Sequence, residues 1–529
     1  MKILVAEPLA PAGVDLLKAQ AGWEVIVSNP KEYAAHLADC DALLVRSAVK
    51  VTKEVLAQAP KLRVIGRAGV GVDNVDLPAA TQAGVLVMNT PGGNAVSVAE
   101  HTLAFLLSLA RSVPQAAAST KAGKWEKKKY LGHEVRGKTL GVMGLGSIGR
   151  EVVRRARAFQ MRILACDPYV TSQTAADLDV ELVDAARLYA ESDYVTLHVA
   201  LTPETRNMIS REAIAQMKDG VCLINCARGE LVDAAALREA MESGKVAGAA
   251  LDVFSPEPPA PDSPLLAHER LIATPHIGGS TEEAQEIVGV RIVEQLVEYL
   301  ANGVAINAVN MPALSPEQYK TLEPYITLAE RLGNFAAHVA EGNPKSVRLI
   351  YSGKIAEGNT HLLRSAGLAG VLNRFLSAKA NLVNAMQIAA QRGLDVGEMH
   401  EKRSGFADTV KLELATDRGV TAVEGAVVLA KPRLLQVDGI LCELSLGGHL
   451  IYMKNMDVPG VIGHVGTVLG KNGINIANFS LGRRDEPTLA GGVREALAIV
   501  EIDGPVPEDV LRQLGENKAV MVARAVEFL

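Results

Sequence analysis

GKTLGVMGLGSIGREVVRRARAFQMRILACD, residues 137–167, reads as strand, glycine loop, helix and second strand. Thr139–Met143 is a short apolar run bounded by glycines, the pattern of a strand buried in a parallel sheet. Gly144, Gly146 and Gly149 follow in G-x-G-x-x-G spacing. Ile148, Val152, Val153 and Ala156 then share one face of a helix over Ser147–Phe159, and Arg162–Cys166 is an apolar strand that ends at Asp167. Gly144 permits the tight turn, Gly146 lets the backbone approach a pyrophosphate, and Gly149 lets helix and strand pack closely. The helix start offers free N–H groups and the positive end of a dipole to phosphates. Asp167 falls near the roughly 20-residue offset of the acid that holds a ribose 2′-OH. Pro168 and Tyr169 come next, with no arginine there to welcome a 2′-phosphate, so NAD is favoured over NADP.

A chain of 529 residues is too long for one core, and three or four domains are expected. Its 48% hydrophobic and 22% charged residues describe an ordinary globular composition. A net charge of −6 argues against nucleic acid or an acidic membrane as the main partner. Cys40, Cys166, Cys222, Cys226 and Cys442 are odd in number and widely spread, which suits buried thiols better than a disulfide frame or a metal site. The opening MKILVAEPLA enters a strand without a signal-peptide pattern, so a cytoplasmic location is expected.

Before the glycine stretch, strands at Lys2–Ala6, Trp23–Val27, Ala42–Val45, Val64–Arg67 and Leu86–Met88 alternate with helices, a parallel βα unit in its own right. VRSAVKVT places Arg46 and Ser47 just past a strand end, where ligands of open parallel sheets sit, so Arg46 is a candidate anion contact. NTPGGNAVSVAEHTLAFLLSLAR, with Asn94 in its entry loop, is a turn and a long apolar helix expected to cross between the two α/β units. KWEKKKY is a basic loop, a solvated charge run by default, from which Lys127 could reach an anionic substrate.

After Asp167 the alternation continues. TPET (Thr202–Thr205) is read as opening a helix, and Ser280 as capping one from Thr281 to about Leu300. Beyond a linker at Ala305–Met311 come helices over Tyr319–Val339 and Gly370–Gln391 and strand-like runs at Asn343–Ser352 and Thr421–Asp438, an α+β interposed domain without a catalytic constellation. From Leu450 on, the order is βαββαβ, a ferredoxin-like arrangement. The expected boundaries are 1–96 with 282–304, 97–281, 305–448 and 449–529. The fold class is thus α/β, with a Rossmann-type domain inserted in a flavodoxin-like one.

Arg228 in NCARGE, Glu257 in SPEPP and His276 in TPHIGG each lie just beyond a strand end of the nucleotide fold. Hydride transfer from C–OH needs a base near neutrality, which suits histidine. A carboxylate on the far ring nitrogen orients the imidazole, and a bidentate arginine holds a substrate carboxylate. Together they make a site for a 2-hydroxy acid.

These motifs, with ALDVFSPEPP between them, resemble the D-isomer-specific 2-hydroxyacid dehydrogenases. VRSAVKVT, GRAGVGVDNVDL, MNTPGGNAVSVAEHT and GKWEKKKY sharpen the likeness to a long form with an interposed domain and a C-terminal ACT domain. The resemblance covers essentially the whole chain. It implies NAD-dependent oxidation of 3-phospho-D-glycerate to 3-phosphohydroxypyruvate, the first step of L-serine biosynthesis; another D-2-hydroxy acid such as 2-hydroxyglutarate is the alternative. Carried onto this sequence, it implies that Arg228, Glu257 and His276 are catalytic and that Arg46, Ser47 and Asn94 contact substrate, with Lys127 doing so from a neighbouring subunit. It implies that Gly144, Gly146, Ser147, Ile148, Gly149, Asp167, Cys226, Asp252, Gly278 and Gly279 line the NAD site. Val70 stands where relatives carry a threonine, so a hydroxyl contact to NAD is not expected there. By the same likeness Asn455, Asp457 and Asn475 are effector contacts for L-serine at a seam between paired ACT domains. An allosteric homodimer or homotetramer is implied.

Overall fold

The computed structural model describes residues 1–376, 379–401, 408–486 and 492–528. Among these residues four sheets form. The first runs Glu24–Val27, Lys2–Val5, Ala42–Val45, Val64–Arg67, Leu86–Met88, all parallel. That is order 2-1-3-4-5, the flavodoxin-like winding. The second has seven parallel strands between Thr139 and Ala273, in order 3-2-1-4-5-6-7 counted from Thr139–Met143. It is the Rossmann order with one strand added. Thr139–Met143 is buried at every position, as a strand covered on both faces must be.

Two long helices join these sheets. Ala95–Arg111 packs against Ser147–Ala158 through Val98, Leu103 and Leu106. Glu282–Asn302 returns to the first sheet and buries Val288, Ile292, Val293 and Leu296 against Ile3, Val5 and Leu44. Its cap is Thr281, whose Oγ1 accepts the Ala284 N–H at 3.1 Å, and not Ser280. Thr202–Thr205 is likewise a turn, closed by Thr205 Oγ1 donating to Ala200 O at 2.7 Å. The helix begins later, at Arg211, capped by Ser210.

The third sheet has six strands between Pro344 and Ser445, mostly antiparallel, covered on one face by helices Pro316–Val339 and His361–Leu372. The single helix expected over Gly370–Gln391, of which residues 377 and 378 lie outside the described residues, is two. Asn373 takes the Ala380 N–H at 2.7 Å and donates to its carbonyl at 3.1 Å, so a side chain competes for backbone groups between Leu372 and Ala385. The run Thr421–Asp438 is a hairpin, Val420–Val428 and Lys431–Val437, turning at Leu429 and Ala430 with positive φ. The fourth sheet, in the order Ile476–Arg483, Glu495–Ile502, His449–Met456, Val520–Glu527, carries helices Val461–Lys471 and Glu508–Leu514 and is ferredoxin-like. Its Leu450, Tyr452 and Val526 share a core with the third sheet's helix, Tyr452 meeting Phe335 edge-on at 5.9 Å. Among the described residues no single helix is long and apolar enough to cross a membrane.

Candidate active site

The glycine loop is shaped for a dinucleotide. Gly144 has φ of 95°, and a Cβ at Gly149 would collide with the Gly144 carbonyl. Gly146 opens onto space with no heavy atom within 4 Å of where its Cβ would stand. The helix starting at Ser147 and Ile148 has no side-chain cap and no acid in its first turn, so its leading N–H groups are free for phosphate. Asp167 Oδ2 accepts the Leu145 N–H at 2.8 Å and Oδ1 the Tyr169 N–H at 2.9 Å, which fixes the carboxylate beside the glycine loop. These features fit NAD. Cys226 is buried near Thr102, and burial pushes its thiol up to about 12, which makes it a wall residue and no nucleophile.

A cavity of about 690 Å³ opens between the two α/β sheets. Arg46, Ser47 and Asn94 line it from one side, and Asp252, Glu257, His276 and Gly279 from the other. His276 Nδ1 lies 2.9 Å from Glu257 Oε2. The loop that carries His276 is wrapped around Asp252, whose carboxylate accepts the Ile277 and Gly278 N–H groups at 2.8 and 2.7 Å and the Thr274 hydroxyl at 2.5 Å. Burial disfavours ionisation of Asp252, but hydrogen bonds from His101, Thr274 and the two amides outweigh it and hold the carboxyl below its usual range. With both oxygens used this way, Asp252 serves to fix the loop. His276 sits there with φ of 54°, its N–H donating to Asp252 O at 2.8 Å.

Arg228 is not in that lining. It stands beside the GVGVD loop of the first sheet, where Asp73 pairs with it at 2.8 Å. Lys127 is exposed in the turn region after helix Val113–Lys121, between the exposed Trp125 and Leu131. The effector candidates are not gathered within one chain. Asn455 is buried and donates to Met456 O, Asp457 faces Arg483 at 3.5 Å, and Asn475 donates to Asp503 at 2.8 Å.

Sequence reasoning passed over two residues here. Arg67, at the end of Val64–Arg67, lines the cavity beside Arg46. Burial and then the nearby Arg228 lower its pKa, so its charge is held at a cost. The strand-end rule that singled out Arg46 applies to it equally. Glu7 is 5% exposed and accepts the N–H groups of Arg46, Ala48 and Val49 at 2.8, 3.1 and 2.9 Å. It fixes the loop that presents Arg46 and Ser47, and no spacing rule points to such a carboxylate.

Fold and site define a nucleotide-linked dehydrogenase acting on a small anionic substrate. Residues 103–278 match the NAD binding domain of D-isomer specific 2-hydroxyacid dehydrogenases, residues 321–438 the D-3-phosphoglycerate dehydrogenase intervening domain, and residues 449–518 the ACT domain. The D-3-phosphoglycerate dehydrogenase of Methanocaldococcus jannaschii is 45% identical over 98% of this chain and 98% of its own. That of Archaeoglobus fulgidus is 42% identical over the full length of both. The Aquifex aeolicus D-lactate dehydrogenase, solved with NAD and lactic acid, superposes with a TM-score of 0.52 at 30% identity, covering 59% of this chain and all of its own. The chain belongs to the D-isomer specific 2-hydroxyacid dehydrogenases, in the long D-3-phosphoglycerate dehydrogenase branch.

Proposed function

We propose that the protein oxidises 3-phospho-D-glycerate to 3-phosphohydroxypyruvate with NAD, the step that commits carbon to L-serine. The observation that carries this is the His276–Glu257 pair at 2.9 Å on the wall of a cavity that also holds Arg46 and Arg67. With Nδ1–H donated to Glu257, Nε2 of His276 is free to take the hydroxyl proton, and Glu257 stabilises the imidazolium that results. Arg228 holds the substrate carboxylate beside the reacting carbon. Arg46 and Arg67 receive the phosphate, while Ser47 and Asn94 hold its polar flank. Lys127 arrives from a neighbouring subunit. NAD, when bound at the Gly144–Gly149 loop, supplies the hydride acceptor.

The four units fall at 1–96 with 282–304, 97–281, 305–448 and 449–529, and the enzyme works in the cytoplasm as a homodimer or homotetramer. L-Serine acts as effector at paired ACT domains through Asn455, Asp457 and Asn475. NAD reduction with 3-phospho-D-glycerate, D-glycerate, D-lactate and D-2-hydroxyglutarate tests the reading. A clear preference for the phosphorylated acid is expected, and preference for 2-hydroxyglutarate would replace it with the alternative dehydrogenase. Added L-serine should lower the rate of the wild type and leave Asp457→Ala unaffected.

A further inference from the structure

Arg228 and its partner belong to different sheets. Arg228 follows strand Val221–Asn225 of the seven-stranded sheet, and Asp73 lies in the loop after Val64–Arg67 of the five-stranded one. Asp73 Oδ2 accepts from Arg228 Nε at 3.0 Å and meets Nη2 at 2.8 Å. Nη1 donates to Ala227 O at 2.6 Å. Gly71 completes the seat. A Cβ there would collide with Arg228 Nη2 and stand 2.8 Å from Asp73 Oδ2. One sheet therefore carries a loop shaped to receive a guanidinium from the other.

A guanidinium has five N–H donors in a fixed fork. Asp73 occupies the side edge, Nε and Nη2, and Ala227 takes one proton of Nη1. One proton on each terminal nitrogen is left over, and that pair is the one that meets a carboxylate end-on. We infer that Asp73 is a positioning residue for substrate binding: it holds Arg228 side-on across the cleft and turns its terminal amino pair toward the carboxylate of the 2-hydroxy acid. The inference rests on the reading of Arg228 as the carboxylate-binding residue. It adds that the contact forms only when the two sheets stand in register, so that the alignment of Arg228 reports the closure of the cleft. Asp73 also sets a negative charge beside two neighbouring cations, Arg67 and Arg228, which would otherwise repel one another.

The test compares Asp73→Asn, Asp73→Glu, Gly71→Ala and Arg228→Ala in the full-length enzyme. Asp73→Asn keeps the shape and removes the charge. It should raise KM for 3-phospho-D-glycerate about tenfold or more, the range of a lost hydrogen bond to a charged group. Its kcat should stay within about threefold and NADH affinity, read by fluorescence, should not change, since positioning is lost but the proton-transfer pair is intact. Asp73→Glu should recover part of the loss, and Gly71→Ala should reproduce it by displacing the guanidinium. In an Arg228→Ala background Asp73→Asn should add nothing. An unchanged KM in Asp73→Asn, with Arg228→Ala impaired, overturns this inference alone. A lowered KM also overturns it, because Asp73 would then be competing with substrate for the arginine. An unchanged KM in Arg228→Ala removes both this inference and the role given to Arg228.

Discussion

His276 Nδ1 stands 2.9 Å from Glu257 Oε2, and the other oxygen of the same carboxylate accepts the Phe254 N–H at 2.8 Å. One oxygen thus anchors the acid to its own loop while the other addresses the ring. Glu257→Gln keeps the anchor but offers an amide N–H or a weaker acceptor to the imidazole, so the useful tautomer is no longer enforced. A fall in kcat of about 10²- to 10³-fold is expected, within the span of positioned acid–base catalysis, with NADH affinity unchanged. Steady-state rates beside a fluorescence titration of NADH check this. A Glu257→Gln enzyme within a factor of two of wild type would take the pair out of the mechanism.

Arg46 is presented by a loop whose N–H groups at Arg46, Ala48 and Val49 are all tied to the buried Glu7. Among the described residues the side chain itself makes one hydrogen bond, Nη1 to Pro8 O at 3.3 Å, so truncating it leaves the loop in place. Arg46→Ala should raise KM for 3-phospho-D-glycerate about ten- to a hundredfold, the worth of a charged hydrogen bond, and leave KM for D-glycerate unchanged. The ratio of the two KM values is the measurement. Equal losses on both substrates would show that Arg46 does not read the phosphate.

How far the sequence alone reached is visible in the same residues. Gly144, Gly146, Gly149 and Asp167 were legible as a glycine loop with its flanking acid because a phosphate turn constrains spacing along the chain, and the structure has that loop with Asp167 held beside it. Arg46, Glu257 and His276 were legible because strand ends of parallel sheets face ligands, and the structure brings them to one cavity. Asp73 and Glu7 were not legible. Each bonds residues more than thirty positions away: Glu7 across neighbouring strands of one sheet, Asp73 across the cleft between two sheets, contacts that exist only once the chain has folded. The helix starts expected at Thr202–Thr205 and Ser280 came later, and the helix expected over Gly370–Gln391 was split, where threonine and asparagine side chains bond the backbone.

His198 follows strand Tyr194–Leu197, partly buried, with Nε2 2.9 Å from Thr196 Oγ1 and a buried Nδ1 without a partner. Burial pulls its pKa from 6.5 down to about 3. The folded pKa is the lower one, so between these values the unfolded chain binds a proton that the folded chain refuses. Stability is complete above about pH 6.5 and falls as the pH drops toward 3, by about 1.4 kcal/mol per pH unit from this group. His198→Gln removes that contribution. Denaturant melts of the NAD-free enzyme at pH 7, 6 and 5 should show a shallower slope for the variant than for wild type, and equal slopes would contradict the assignment.

Arg524 ties the last strand to the end of the long helix Pro316–Val339. Its Nη1 donates to the carbonyls of His338, Val339 and Ala340 at 3.2, 3.2 and 2.7 Å, and Nη2 pairs with Glu341 at 2.8 Å. A helix C-terminus leaves these carbonyls without partners and concentrates negative potential there, so a cation satisfies both needs at once. The Glu341 pair is half-exposed and adds little. Truncation to Arg524→Ala should cost about 1–3 kcal/mol locally, the penalty of uncapped carbonyls. Phe335 and Tyr452 still pack across the same seam, so the domain stays docked but looser. Faster hydrogen exchange across residues 338–345 and 520–527 is expected, with kcat for 3-phospho-D-glycerate unchanged in the absence of serine. Besides this seam, strand Ile440–Ser445 meets strand Ile476–Arg483, and Lys454 Nζ pairs with Asp438 Oδ2 at 2.8 Å between the same two units. A serine response that disappears in Arg524→Ala while serine still binds assigns the route to the arginine, and one that survives takes the arginine out of it.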